Sequence, residues 1–316
     1  MLAVVRRRFA AVALAFATSA GAVVPIPDGA ARAYAMSLPA CDAGYEPVAR
    51  ELVSLARRVA AFRPVRVFTP EACRQRFAGI AHVSTHWAQP DSHWIRDYAP
   101  VWVRDGARAV LVDLPYPAAN DDGIPGRLGA LLKLPVKTID DRAVTFLGGA
   151  FEADHLARCL VTRWGKDWQN QLMADRAREW FGCRAVIALE PLPGESTRHV
   201  DMHTLLLDDG RAFVADYPDG ELREVMRRNA ARLAAAGIVP LPVPQPAPDD
   251  GVYLSYVNAL VLGRNVLMPV YGDPTTDGPA AAAYQGAGFR VIGSPARELI
   301  RYGGALRCST APIHAD

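Results

Sequence analysis

Four side chains of this 316-residue chain provide a thiol, an imidazole and two carboxylates. Cys308 lies near the C-terminus in Gly-Gly-Ala-Leu-Arg-Cys-Ser-Thr (303–310), His199 and Asp201 form an H-x-D pair, and Asp97 lies in Trp-Ile-Arg-Asp-Tyr-Ala-Pro (94–100). A thiolate can attack the carbon of a guanidinium group, carboxylates can hold that cation, and an imidazole can move the protons. These residue types therefore predict a covalent reaction at a guanidine.

The reactivity of Cys308 depends on the charges around it. A free thiol has a pKa of about 8.5 and is mostly protonated at neutral pH, and a neighbouring cation lowers that pKa. Arg307 or a protonated His199 is the expected cation. The alternative is a buried, inert cysteine near a chain end.

The spacing of His199 and Asp201 predicts two side chains in one pocket, because residues i and i+2 of a strand share a face. Asp201 would bind the cation, and His199 would act first as an acid and then as a base. The alternatives are a solvated polar pair at a strand end, or half of a metal site with His203 as the only other ligand nearby.

Aromatic and amide side chains complete the predicted site. Asp97 beside Trp94 suits a planar guanidinium, since the acid gives paired hydrogen bonds and the ring gives a stacking surface. Asn258, in Ser-Tyr-Val-Asn (255–258), could bond the substrate or hold the cysteine segment. The alternatives are an ion pair between Arg96 and Asp97 beneath a packed Trp94, and a turn-forming Asn258.

Four segments, 94–100, 197–201, 255–258 and 303–310, resemble in this order those of the agmatine deiminase and bacterial (porphyromonad-type) peptidylarginine deiminase family. This guanidine-modifying superfamily has the pentein fold. The resemblance implies an α/β propeller of five ββαβ units around a pseudo-fivefold axis, with a central polar channel. It implies a hydrolase that converts the guanidine of agmatine or peptidyl-arginine to a ureido group, through a cysteine amidino-thioether and without metal or organic cofactor.

The sequence also departs from the pattern of that family. Leu147 and Ala150 stand where many members have an acidic residue and Asn around two glycines, and Ala305 and Arg307 replace Asn and His before the cysteine. The alternatives are therefore a non-catalytic exported guanidinium-binding pentein or an amidinotransferase. Substrate identity is more open than reaction type, and Glu152 and Asp154 are further acids that could serve.

Hydrophobic periodicity predicts alternating helices and strands. Helices are expected over 46–62, 127–134, 167–181, 222–236, 280–286 and 294–301, and strands include 65–69, 80–85, 159–162 and 185–189. Hairpins are expected around 104–107, 208–210 and 262–264. Hairpin, helix and strand recur roughly every 50 residues, and such a period indicates repeated units.

The N-terminus has the pattern of an export signal. Arg6-Arg7-Arg8 precedes an apolar run over 9–24, with small-residue sites after it. We assign residues 1–36 to a signal peptide or disordered segment and 37–316 to a single deiminase-like domain. The alternatives are a mis-assigned start codon and a membrane anchor. If the signal is real, the protein is exported to the periplasm or secreted, and it is not stably inserted in the membrane after processing. Otherwise it is cytoplasmic.

The five cysteines and the charge balance narrow the function classes. No C-x-x-C pair exists, so zinc and redox motifs are unsupported. In an exported protein up to two disulfides could form among Cys41, Cys73, Cys159 and Cys183 and leave Cys308 free. The alternative is that Cys73, Cys159 and Cys183 are small buried side chains. A net charge of +2 gives no indication of a nucleic-acid partner. A small guanidine or an arginyl peptide is the expected partner.

Overall fold

The strands of the computed structural model form five separate sheets, and the structure describes residues 23–144 and 146–315. The first sheet has the order β1-β5-β6-β7, with β1 (Val23–Pro25), β5 (Val101–Asp105), β6 (Arg108–Asp113) and β7 (Val136–Thr138). The second has the order β10-β9-β8, with β8 (Phe151–Ala153), β9 (Arg158–Thr162) and β10 (Ala185–Leu189). The third has β11 (Thr204–Leu206), β12 (Arg211–Asp216) and β13 (Val239–Pro244). The fourth has β14 (Leu260–Leu262), β15 (Asn265–Val270) and β16 (Arg290–Pro295). The fifth has the order β17-β2-β3-β4, with β17 (Ala311–Ile313), β2 (Ala33–Ser37), β3 (Val65–Thr69) and β4 (Val83–Trp87).

The α-helices connect the parallel strands or cover their faces. They are α1 (Glu46–Ala60), α2 (Ile95–Tyr98), α3 (Ala119–Asp122), α4 (Ile124–Leu132), α5 (Asp167–Phe181), α6 (Gly220–Ala235) and α7 (Pro274–Gly286). In α1 the apolar residues at helical spacing, among them Val48, Leu52 and Val59, are all buried. Pro47 occupies the first turn, where its missing N–H costs no hydrogen bond.

Each sheet is built to one plan. Each sheet contains an antiparallel pair, which is β5–β6, β8–β9, β11–β12, β14–β15 or β17–β2. In the last pair the two strands come from opposite ends of the described chain. A helix then leads to a strand that pairs in parallel, as α5 leads from β9 to β10 and α6 from β12 to β13. A parallel pair needs such a crossover, whereas an antiparallel pair needs only a short turn. The expected repetition of a ββαβ unit is therefore present five times.

Helices also join neighbouring sheets. α5 contacts β1 and β5, α6 contacts β10, α7 contacts β13 and α1 contacts β16. Each of these helices thus packs against a strand of another unit as well as its own. Among the described residues, no helix has the length and apolar character required to cross a membrane.

The structure corrects three expectations about segments near the site. The predicted boundary at residue 36 is too late, because β1 and β2 belong to sheets and all five residues of Ala33–Ser37 are buried. The H-x-D pair does not lie on a strand: His199 precedes a 3₁₀ turn, Val200–Met202. The last predicted helix is reduced to a 3₁₀ turn at Leu299–Tyr302. The assignment of a signal to the first residues lies outside the described part of the chain.

Two disulfides link the cysteines other than Cys308. Cys41 is bonded to Cys73 and Cys159 to Cys183, while Cys308 is free and buried. The expectation of two bridges with Cys308 left over is confirmed. The alternative, that these cysteines are merely small buried side chains, is wrong.

Candidate active site

Asn258 organises the segment that carries Cys308. Its Oδ1 accepts hydrogen bonds from the backbone N–H groups of Ala305 at 3.1 Å, Arg307 at 3.0 Å and Cys308 at 3.1 Å. Its Nδ2 lies 3.0 Å from the Cys308 Sγ and 3.2 Å from the backbone oxygen of Asp201. One buried amide therefore fixes the cysteine backbone, its sulfur and the turn that carries the aspartate.

Asp201 lies directly beside the thiol. Its Oδ1 and Oδ2 are 3.7 Å and 3.6 Å from the Cys308 Sγ. Oδ2 also accepts a hydrogen bond of 2.9 Å from Nη1 of Arg307. The 3₁₀ turn after His199 delivers this carboxylate to the sulfur, although the predicted strand is absent.

His199 and Asp97 form the second pair of the site. Nδ1 of His199 lies 3.6 Å from Oδ1 of Asp97, and both side chains are mostly buried. That Asp97 oxygen is buried and has no hydrogen-bond partner within the described structure. A Cβ on Gly149 would lie 2.4 Å from His199 Nδ1, so only glycine leaves room for the imidazole at this point. The glycine pair noted in the sequence thus contacts the site.

Gly304 lies against both the Trp94 ring and the Cys308 side chain. A Cβ on Gly304 would lie 2.7 Å from the Trp94 ring, 2.8 Å from Cys308 Cβ and 3.0 Å from its Sγ. The backbone N–H of Arg96 also donates to the Cys308 carbonyl at 3.1 Å. The segment with Asp97 and Trp94 is therefore joined to the cysteine segment.

The two carboxylates place negative charge near the thiol. Burial, the largest effect, raises the pKa of Asp97 to about 6, and the Asp201 charge adds to this shift. Burial also raises the pKa of the Cys308 thiol, and the charges of Asp201 and Asp97 raise it further, against the lowering effect of the Asn258 hydrogen bond. A buried thiol beside two acids stays protonated until a cation arrives.

Arg307 does not act on the thiol as expected from the sequence. Its guanidinium is paired with Asp201, with Asp28 at 3.0 Å and with Glu152 at 3.4 Å. The net effect of the surroundings is a raised pKa of Cys308, with burial as the largest cause, so the lowering expected from Arg307 or a protonated His199 does not prevail.

The other expected acids and ligands have different partners. Asp154 pairs with Arg158 at 2.6 Å, and Glu152 contacts the Leu206 N–H and Arg307. The ion-pair partners of these two acids are therefore arginines. His203 bonds Thr204, and within the part of the chain that the structure describes no group of three or more His, Cys, Asp or Glu side chains could hold a metal ion.

The chain matches a family model over most of its length. The Porphyromonas-type peptidyl-arginine deiminase model covers residues 30–313. The chain belongs to this family. Its members are guanidine-modifying hydrolases that act on C–N bonds in linear amidines, so the resemblance inferred from the four segments is confirmed.

Solved structures of this family have the same mixed α/β fold. Agmatine deiminase of C. jejuni is 20% identical, with a TM-score of 0.82, over 94% of this chain and 97% of that one. A putative arginine deiminase from Porphyromonas gingivalis is 22% identical, with a TM-score of 0.79, over 92% and 98%. Agmatine deiminase of Enterococcus faecalis is 18% identical, with a TM-score of 0.81, over 93% and 96%. No curated protein matches the chain significantly.

Sequence reasoning missed Asp28 and the part played by Gly149. Asp28 lies in the segment assigned to a signal, yet it bonds both Arg307 and Arg96. The departure at Arg307 was visible in the sequence, and a buried arginine requires an acid partner. That requirement could have directed the search toward Asp28.

Proposed function

We propose that the protein is a deiminase that converts a guanidine to a ureido group with release of ammonia. Asp97 and Asp201 hold the guanidinium, Cys308 attacks its central carbon, and His199 moves the protons. Trp94 stacks against the substrate, and Asn258 holds the nucleophile. The arrangement that carries the proposal is the Cys308 thiol between Asn258 and Asp201, at 3.0 Å and 3.6 Å, next to the pair of Asp97 and His199.

The chemistry has two halves. The Cys308 thiol gives its proton to His199 as the sulfur forms a bond to the guanidinium carbon. A C–N bond breaks, and the leaving nitrogen takes that proton from His199 and departs as ammonia. The amidino-thioether is then attacked by water, which gives one proton to His199, and the C–S bond breaks as the second water proton passes to the sulfur, leaving the ureido product and the Cys308 thiol. His199 finally releases its proton to the ammonia or to solvent. Neither half requires an oxidant or a reductant.

Substrate binding would itself activate the thiol. The unliganded site holds two acids that raise the pKa of Cys308. A guanidinium bound between them brings a positive charge to within a few ångströms of the sulfur, and an opposite charge favours the thiolate. The nucleophile is then strongest when the cation is in place.

The surroundings of Leu147 and Ala150 favour an arginyl peptide over agmatine. These residues flank the glycines that touch the site, and they line a cavity of about 360 Å³. Its other lining residues, Ala143, Val144, Trp164, Gln169, Leu172 and Met173, are also uncharged. Such a cavity offers no acid to the ammonium tail of agmatine, whereas an uncharged peptide neighbour fits it.

We further propose that the five sheets close into a pentein propeller around a pseudo-fivefold axis, as one domain that begins near residue 23. We also propose export to the periplasm or the exterior. Two disulfides support an oxidising compartment, since such bonds are rare in the cytosol.

A panel assay tests the proposal. Purified protein is incubated with agmatine, arginine, and N- and C-terminal arginyl peptides, and ureido product and ammonia are measured together. We expect equal amounts of both products, with peptides preferred over agmatine. A new guanidine and the free alkylamine of the donor, formed without ammonia or ureido product and only when an acceptor amine is added, would indicate an amidinotransferase. If nothing turns over but guanidines protect Cys308 from a haloacetamidine, the protein is a non-catalytic guanidinium-binding pentein.

A further inference from the structure

A row of charged side chains, buried at Asp201 and Arg307 and partly exposed at Asp28, connects the active site with the N-terminal segment. Nη1 of Arg307 donates to Asp201 Oδ2 at 2.9 Å, and Nη2 donates to Asp28 Oδ2 at 3.0 Å. Arg96 Nη1 lies 3.0 Å from the same Asp28 oxygen. The row therefore runs from the thiol through Asp201 and Arg307 to Asp28, which lies in a 3₁₀ turn between β1 and β2.

Burial makes Asp201 dependent on this row for an ion-pair partner. The Asp201 side chain has no exposed surface and that of Arg307 is 2% exposed. A buried charge is tolerated only when it is paired and hydrogen-bonded. A guanidinium that bonds one carboxylate oxygen also fixes the direction of the other oxygen. Arg307 is the arginine that bonds this carboxylate directly.

Asp28 in turn stabilises Arg307. Burial alone would lower the pKa of Arg307, but the charges of Glu152, Asp28 and Asp201 raise it. Burial, the largest effect, raises the pKa of Glu152 to about 7, so this acid is partly protonated at neutral pH. Arg96 and Arg307, by contrast, hold the pKa of Asp28 below its usual value despite burial. Asp28 is thus the more dependable anion behind Arg307.

We infer that Arg307 and Asp28 are positioning residues of the active site. Arg307 bonds Oδ2 of Asp201 and fixes the carboxylate beside the sulfur, which leaves Oδ1 to receive the substrate cation. Asp28 holds Arg307 in that place. The inference rests on the proposed function, because it assigns Asp201 to the guanidinium clamp.

Several other charged or titratable groups face this row and have to be considered with it. Around Asp201 they are Cys308, Asp97, Arg96 and Glu152, and around Asp28 they are His314, Tyr34, Arg96, Glu152 and Asp208. Arg96 is the nearest other cation, but its Nη1 is paired with Asp28. Removal of Arg307 therefore leaves Asp201 without its bonded cation.

The test compares alkylation of Cys308 by two probes, neutral iodoacetamide and cationic chloroacetamidine, in the full chain from pH 5 to 9. The ratio of the two rates reports how strongly the site attracts a planar cation, and it requires no turnover. We expect Arg307→Met to lower this ratio at least tenfold at pH 7. Arg307→Lys, which keeps the charge, should stay within about threefold of the wild type.

Asp28→Asn is the more demanding variant, because Asp28 is bonded to Arg307 and Arg96 rather than to the sulfur or Asp201. We expect its ratio to fall about threefold or more at pH 7. Arg158→Met is the matched control: it breaks another buried pair, with Asp154, and should change the ratio less than twofold. If Arg307→Met does not fold, the ratios of the two alkylation rates in Arg307→Lys and Asp28→Asn test the inference.

Two results would overturn the inference. An unchanged ratio in Asp28→Asn would remove Asp28 from the site. A ratio that rises in Arg307→Met would mean that Arg307 competes with the substrate for Asp201. Absence of turnover in the wild type would count against the proposed function alone, since both probes report on Cys308 without it.

Discussion

Replacement of Asn258 by alanine should weaken the fold and the nucleophile together. Oδ1 of Asn258 accepts three backbone N–H groups, of which that of Arg307 has a second acceptor in the Asn258 carbonyl oxygen. The variant therefore leaves the N–H groups of Ala305 and Cys308 without this partner. An unsatisfied buried donor costs about 1–3 kcal/mol, so we expect a loss of about 2–6 kcal/mol in the free energy of unfolding.

The same variant removes the amide that lies 3.0 Å from the sulfur. A hydrogen bond to a charged group contributes about 1.5–3 kcal/mol. At 1.36 kcal/mol for each pH unit, its loss should raise the pKa of Cys308 by about one to two units. Alkylation of Cys308 by iodoacetamide at neutral pH should then slow by about tenfold to a hundredfold.

Denaturant titration measures the first effect and timed alkylation measures the second. Asn258→Asp keeps the acceptor oxygen and lacks the NH₂ donor, so it should fold better than Asn258→Ala and alkylate as slowly. Asn229→Ala is the control, because Asn229 is another buried amide that bonds the backbone of Glu190 through both of its ends. It should lose stability without any change in alkylation. If Asn229→Ala slows alkylation as much as Asn258→Ala does, the effect is general loosening and the role given to Asn258 is wrong.

Three further predictions concern the clamp and its walls. Asp97→Asn and Asp201→Asn should each lower kcat/KM about 30-fold or more, since loss of one side of a buried charge pair costs about 2–5 kcal/mol. Asp105→Asn, on an exposed strand end, is the control and should change kcat/KM little. Folding raises the pKa of Asp97 from 3.8 to about 6, so ionisation of this carboxyl destabilises the fold. Asp97→Asn removes that ionisation. The variant should therefore raise the free energy of unfolding above pH 6, by up to about 3 kcal/mol. Thermal unfolding across pH should show this gain disappearing below about pH 4, and a gain that persists there would contradict the assignment. Gly304→Ala should lower kcat/KM at least tenfold, because its Cβ would displace Trp94 or Cys308. Gly278→Ala, at an open helix position, is the control. It should leave kcat/KM unchanged and raise the free energy of unfolding by about 0.5–1 kcal/mol.

Much of the local structure could be predicted because it depends on short-range patterns. The apolar spacing of α1 and α5 and the turn residues at 106 and 210 each determine their own element. The limits of β3, α5 and β10 agree with the prediction for this reason.

The errors occur where distant residues decide the conformation. β2 follows an apolar stretch that has the composition of a signal, and only its pairing with β3 and β17 makes it a strand of the fold. The turn at His199 depends on a hydrogen bond from its N–H to Thr197 Oγ1 and on space provided by Gly149. The row from Asp201 to Asp28 joins residues more than 170 positions apart, so periodicity carries no sign of it.

The central claim is that Cys308 forms a covalent bond to the carbon of a guanidine. The most direct measurement is the intact mass of the protein after rapid acid quenching of a reaction with excess arginyl peptide or agmatine. We predict a transient species heavier than the protein by the substrate less one ammonia, absent in Cys308→Ala. That species should decay as ureido product appears. Ureido product formed at the wild-type rate by Cys308→Ala, with no such species in either protein, would contradict the account.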